Sequence, residues 1–96
     1  MIEIRSIEQY SKWYQRLRDR EAQSRVLIRL RRLSLGNFGD VAPVGEGVSE
    51  LRIHYGPGYR VYFVSRGDRI IILLGGGDKS TQDKDIAAAK ALAKSV

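Results

Sequence analysis

The sequence predicts one small α+β domain: strand, two helices, three strands, helix, with a small antiparallel sheet carrying an N-terminal helical hairpin on one face. Three observations predict it. Apolar residues recur at helical spacing between residues 7 and 35. Between 48 and 75 the pattern changes to short runs rich in Val, Ile, Tyr and Phe, divided by glycine-containing turns. Past residue 80 a helical, alanine-rich pattern returns. A chain of 96 residues suits one modest core, so residues 1–96 are expected to form a single domain.

Met1 to Arg5 alternates apolar and polar side chains and reads as a short strand. Ser6 is a candidate N-cap for a first helix carrying Ile7, Tyr10, Tyr14 and Leu17, with Trp13 beside them in the core. Asp19-Arg20 marks a break. A second helix is expected from about Glu21 to Leu35, with Ala22, Val26, Leu30 and Leu33 on one face and Gly36 ending it. The short link makes the two helices an antiparallel hairpin. Residues 36–47, GNFGDVAPVGEG, read as a loop. Val48 to Tyr55, Tyr59 to Arg66 and Arg69 to Gly75 read as strands, turning at Gly56-Pro57-Gly58 and Gly67-Asp68. Ile70 to Leu74 is apolar at every position, which predicts a strand covered on both faces. Ser80 or Thr81 would cap the last helix, through about Lys94, with Ile86, Ala89 and Ala93 inward and Asp83 and Asp85 in its first turn.

Composition bounds the function. The net charge is +6, and residues 1–35 carry nine Lys/Arg against four Asp/Glu. Such a balance fits a partner that is nucleic acid or an acidic protein, or simply a soluble basic domain. There is no cysteine and one histidine, which excludes disulfides and argues against a zinc site. No metal and no small-molecule cofactor is expected. Gly75-Gly76-Gly77 lacks the spacing of a phosphate-binding P-loop. The longest apolar run is too short to span a bilayer and the N-terminus lacks a signal-peptide core, so the expected location is cytoplasmic, without a membrane partner.

The candidate site comes from strand periodicity. Side chains alternate faces, so Arg52 and His54 share one face and Arg60 and Tyr62 share one face of the next strand. Leu51, Ile53, Tyr55, Val61 and Phe63 take the other. A face of Arg, His and Tyr suits a phosphate backbone, because guanidinium forks match phosphate oxygens and a tyrosine ring can stack on a base. Arg25, Arg29 and Arg32 fall at i, i+4 and i+7, one basic stripe on the second helix.

ELRIHYGPGYRVYF (residues 50–63), LLGGGDKSTQ and DIAAAKALA together resemble the RelE/ParE superfamily of bacterial toxins. Within it the chain is most similar to the phage Gp49-like, HigB-type addiction module killer proteins, along nearly its whole length. The resemblance implies a RelE-like fold and the toxin of a type II toxin–antitoxin module. That toxin would be a metal-independent, ribosome-dependent endoribonuclease cutting mRNA in the A site. Its implied partners are the ribosome, mRNA and a cognate antitoxin, a small helix-turn-helix protein. The ParE branch shares the fold but inhibits DNA gyrase. A degenerate toxin that only binds its antitoxin is a further alternative.

RNA cleavage needs a base for the 2′-hydroxyl, charge stabilisation at phosphorus, an acid for the 5′-oxygen and in-line alignment. Arg60 matches the strand arginine of the family's YR-x-Y pattern and is the first candidate for phosphate stabilisation, or else it pairs with a carboxylate. Arg52 would hold an adjacent phosphate, or form an ion pair with Glu50 or Asp68. His54 would be general acid or base, or an exposed hairpin histidine. Tyr62 would stack on a base or pack the sheet. Lys79, in GGDKSTQ, would contact phosphate or cap the loop, which Asp78 and Gln82 organise. The Arg25/Arg29/Arg32 stripe would grip ribosomal RNA, or be a solvated face.

Overall fold

A computed structural model describes residues 1–96. The elements are β1 (Glu3–Ser6), α1 (Glu8–Arg16), α2 (Arg20–Ser34), β2 (Val41–Gly45), β3 (Val48–Ile53), β4 (Tyr59–Arg66), β5 (Ile70–Gly77), a single 3₁₀ turn (Lys79–Thr81) and α3 (Gln82–Ala93). The five strands form one sheet in the order β1-β5-β4-β3-β2. Four are antiparallel to their neighbours, but β1 runs parallel to β5. The sheet is therefore mixed, not purely antiparallel, and has one strand more than the sequence predicts.

The extra strand comes from the stretch that reads as a loop. Val41–Gly45 pairs antiparallel with β3 through a two-residue turn, Glu46-Gly47, with both residues at positive φ. That is the chirality a tight hairpin needs. Pro43 is tolerated because β2 lies at the sheet edge, where no amide donor is required.

Both faces of the sheet are covered. On one, Tyr10 of α1 and Val26, Leu30 and Leu33 of α2 pack on Leu51, Ile53, Val61, Phe63, Ile71 and Leu73. On the other, Ala89 and Ala93 of α3 pack on Val48, Tyr62, Val64 and Leu74. β5 contributes to both, as its uninterrupted apolar run requires.

The caps follow local chemistry. Asp19 caps α2, its Oδ1 accepting from the amides of Glu21 at 2.9 Å and Ala22 at 3.4 Å. At the far end Gly36 adopts φ +86°. Its amide donates to the Leu33 carbonyl and that of Asn37 to the Arg32 carbonyl, a Schellman closure. Ser6 does not cap α1. It pairs with Leu73 inside the sheet, and the cap position falls to Ile7, whose amide donates to the Leu73 carbonyl. Neither Ser80 nor Thr81 caps α3 with its side chain. Asp78 takes the capping role for the preceding 3₁₀ turn, accepting from the Ser80 amide at 2.8 Å.

Two of the three glycines that end β5, Gly76 and Gly77, are a packing requirement, while Gly75 faces open space. A Cβ at Gly76 would sit 2.4 Å from the Trp13 indole, and one at Gly77 would sit 1.8 Å from Asp85 Oδ2. The glycines let α1 and α3 close on the sheet. Gly76→Ala is expected to cost about 1–3 kcal/mol through overpacking. Thermal denaturation of the purified variant measures it, and an unchanged midpoint would mean that Trp13 is free to move aside.

Candidate functional site

The face that sequence alternation assigns to Arg, His and Tyr exists, but α3 roofs part of it. In register, Arg52 lies opposite Arg60 and Glu50 opposite Tyr62. Glu50 is fully buried and is the hub. Its carboxylate accepts from Arg52 Nε at 2.9 Å, Arg60 Nε at 3.0 Å and Gln82 Nε2 at 2.8 Å, with the Tyr62 hydroxyl at 3.5 Å. One anion between two guanidiniums leaves the cluster net positive. The arrangement satisfies a carboxylate that would be costly to bury alone.

Tyr62 is fully buried beneath α3, so neither ring face is open to a base. Burial, with the nearby Glu50 and Asp85 carboxylates, pushes its phenol well above the usual tyrosine range. Its role here is packing and support of Glu50, and the base-stacking expectation is corrected. Arg60 is 9% exposed. Nε is committed to Glu50 and Nη1 donates to the Gly58 carbonyl at 3.3 Å. Nη2 has no partner in the chain and is not a buried atom, so one end of the fork reaches solvent. Arg52 takes the ion-pair alternative, with Glu50 as its partner rather than Asp68.

Four of the five candidate catalytic residues nevertheless meet. Arg52, His54, Arg60 and Lys79 line one depression of about 280 Å³ around the β3–β4 turn. Lys79 reaches it by laying its stem across Gly58, where a Cβ would meet Lys79 carbons at 3.0 Å. Its ammonium forms no ion pair, unlike that of Lys90, which lies 3.8 Å from Glu46. His54 is exposed at the end of β3, and its Nε2 lies 2.5 Å from Asp40 Oδ2. That hydrogen bond holds the Asp40 carboxyl below the usual carboxylate range, with Arg52 and Arg29 adding to the effect.

A second depression of about 410 Å³ adjoins the first at Ile53 and His54, and Arg25, Arg29 and Arg32 line it together with Glu21 and Ile28. The three arginines are not equivalent. Arg32 is exposed. Arg25 pairs with Glu21 at 3.0 Å and lies 4.6 Å over the Tyr55 ring. Arg29 is half-buried and spends its guanidinium on the backbone carbonyls of Arg52, Phe38 and Asp40. It clamps the segment before β2 onto β3, so its share in a free phosphate-gripping stripe is corrected. Tyr55 in turn donates to Asp19 Oδ2 at 2.6 Å, tying the β3–β4 turn to the start of α2.

The comparison with known proteins bears on this geometry. The family model for phage-derived Gp49-like proteins (DUF891) matches residues 12–95, which include every residue of both depressions. The chain belongs to that family. It is a family of the toxin–antitoxin type. An uncharacterised protein of Haemophilus influenzae is 46% identical over 93 residues, covering 97% of this chain and 94% of the relative.

In this Gp49-like chain the site is organised by residues outside the expected catalytic set. Glu50 occupies a polar strand position that is normally solvated. Asp40 is 14 residues from His54 in sequence, in a segment that reads as loop. Gln82, expected to organise the loop, reaches the buried carboxylate with its side-chain amide. For Glu50 a signal was available: its parity places it beside Arg52 and opposite Tyr62. No group of three or more His, Cys, Asp or Glu side chains converges anywhere in the chain. No helix is long and apolar enough to cross a membrane.

Proposed function

We propose that this chain is the toxin of a type II toxin–antitoxin module and acts as a ribosome-dependent endoribonuclease on mRNA. The convergence of Arg52, His54, Arg60 and Lys79 on one depression, continuous with the basic surface of α2, carries this reading. The free end of Arg60 and the Lys79 ammonium supply positive charge for a phosphorane. His54, the one imidazole lining the depression, is the group placed to move the 2′-hydroxyl proton. In the reaction the 2′-oxygen bonds to phosphorus, the P–O5′ bond breaks, and the 5′-oxygen takes a proton from Lys79 or water. The α2 surface, with Arg32 the exposed and unpaired arginine of the three at the depression, would hold neighbouring phosphates of mRNA or ribosomal RNA. That affinity would fall with salt.

Glu50 engages both strand arginines, which favours a second reading: a toxin-like chain that binds an antitoxin without cutting RNA. Induction of the protein alone separates the two. The nuclease is expected to arrest bacterial growth, to create new mRNA 5′ ends inside codons, and to be silenced by co-expression of its antitoxin, a small helix-turn-helix protein. Growth at the control rate with folded protein present would favour the second reading. Arrest without new 5′ ends would point to gyrase.

A further inference from the structure

We propose that Asp40 is the positioning residue for His54, the pair forming a proton-transfer dyad at the junction of the two depressions. The inference rests on the nuclease reading above. His54 is the only histidine, and it stands where the α2 depression meets the β3–β4 depression. Ile53 and His54 are the two residues that line both depressions.

Asp40 is fixed for the task. Its backbone carbonyl accepts from the Arg52 amide at 2.9 Å and from Arg29 Nη2 at 3.4 Å, so the residue is anchored independently of its side chain. One carboxylate oxygen, Oδ1, lies 3.8 Å from Arg52 Nη1, and the other, Oδ2, holds His54 Nε2. A carboxylate in this environment is ionised and only accepts hydrogen bonds. Nε2 must therefore carry the proton, which leaves the lone pair on Nδ1, an atom with no partner in the chain. That is the state a general base requires. The remaining charged groups facing His54 are mostly cationic. Arg25, Arg29 and Arg32 come from α2, with Glu21 the one further anion. Arg60 and Lys79 lie across the turn. Asp40 is the carboxylate that stabilises the imidazolium formed when Nδ1 takes the 2′-hydroxyl proton.

The pair is testable apart from toxicity, because a single imidazole gives unambiguous nuclear magnetic resonance signals. In the wild type the Asp40 carboxyl is expected to titrate below the usual carboxylate range. In His54→Ala it should rise, since the hydrogen bond to His54 is the main cause of the lowering. A hydrogen-bonded Nε2 proton should be visible in the wild type and lost in Asp40→Ala. In single-turnover cleavage on programmed ribosomes, His54→Ala should be slower by about 10²–10⁴-fold. Asp40→Asn should be slower by about tenfold or more, with ribosome binding unchanged, because an amide can donate to Nε2 and favour the wrong tautomer. An Asp40 carboxyl that titrates normally in both proteins overturns the pair. A pair seen by resonance in a wild type that cuts, while Asp40→Asn cuts equally fast, overturns the positioning role and leaves a loop clamp. A pair seen in a wild type that cuts no RNA overturns the nuclease reading, and the proposal with it.

Discussion

Replacing Glu50 with alanine is expected to destabilise the domain by about 3–5 kcal/mol, because it strands a buried guanidinium. Arg60 is 9% exposed, so most of its guanidinium would be left without a charge partner, and Arg52, Gln82 and Tyr62 lose their shared acceptor at the same time. A domain of this size is stable by roughly 5–15 kcal/mol in total, so the variant should approach the limit of folding. Glu50→Gln keeps the shape and one acceptor oxygen and should lose less. Urea denaturation with intact cooperativity provides the measurement. A loss below about 1 kcal/mol for Glu50→Ala would mean that water already shares the cluster and the carboxylate is not its hub.

Arg60→Ala is expected to slow RNA cleavage by on the order of 10²–10³-fold while the protein stays folded and still binds ribosomes. A guanidinium that lines the depression with one nitrogen unpartnered stabilises charge that grows only as the phosphorane forms, so its loss acts on rate more than on binding. Glu50 would keep Arg52 and Gln82 as partners, so the stability cost should be smaller than for Glu50→Ala. Arg60→Lys should recover only part of the rate, because a single ammonium nitrogen lacks the planar fork that holds Glu50 through one nitrogen and offers another to substrate. Circular dichroism and ribosome co-sedimentation on the same preparations separate a misfolded protein from an inactive one.

The two effects explain why some of the site was legible in the sequence and some was not. Strand periodicity placed Arg52, His54 and Arg60 together, because alternation is fixed by backbone geometry. It also placed Tyr62 with them, and that parity holds. What alternation cannot show is the roof: α3 returns over the end of the strand that holds Tyr62 but leaves the turn end open. Arg60 therefore borders solvent while Tyr62 is sealed. The same non-local logic hides Asp40 and Arg29. Asp40 is held against β3 by the Arg29 clamp, a contact 11 residues apart. Basic spacing on α2 reveals a stripe but not that its middle member is occupied by backbone carbonyls.

The fold divides along a similar line. The α2 C-terminus, the double-sided β5 and the β3–β4–β5 meander are written in local signals: Gly36, an unbroken apolar run, and turn glycines. β2 escapes because Pro43 and three glycines between 36 and 45 dilute its pattern, and only the edge position makes that composition compatible with a strand. The parallel pairing of β1 with β5 joins residues 3–6 to 70–73, a separation no local signal spans.

The most direct test of the account is single-turnover cleavage of end-labelled mRNA on ribosomes programmed with a defined A-site codon, comparing wild type with Arg60→Ala. The expected result is a cut within that codon by the wild type, dependent on the ribosome, and a rate at least about 100-fold lower for the variant. Intact mRNA with folded wild-type protein, or equal rates for the two proteins, would contradict it.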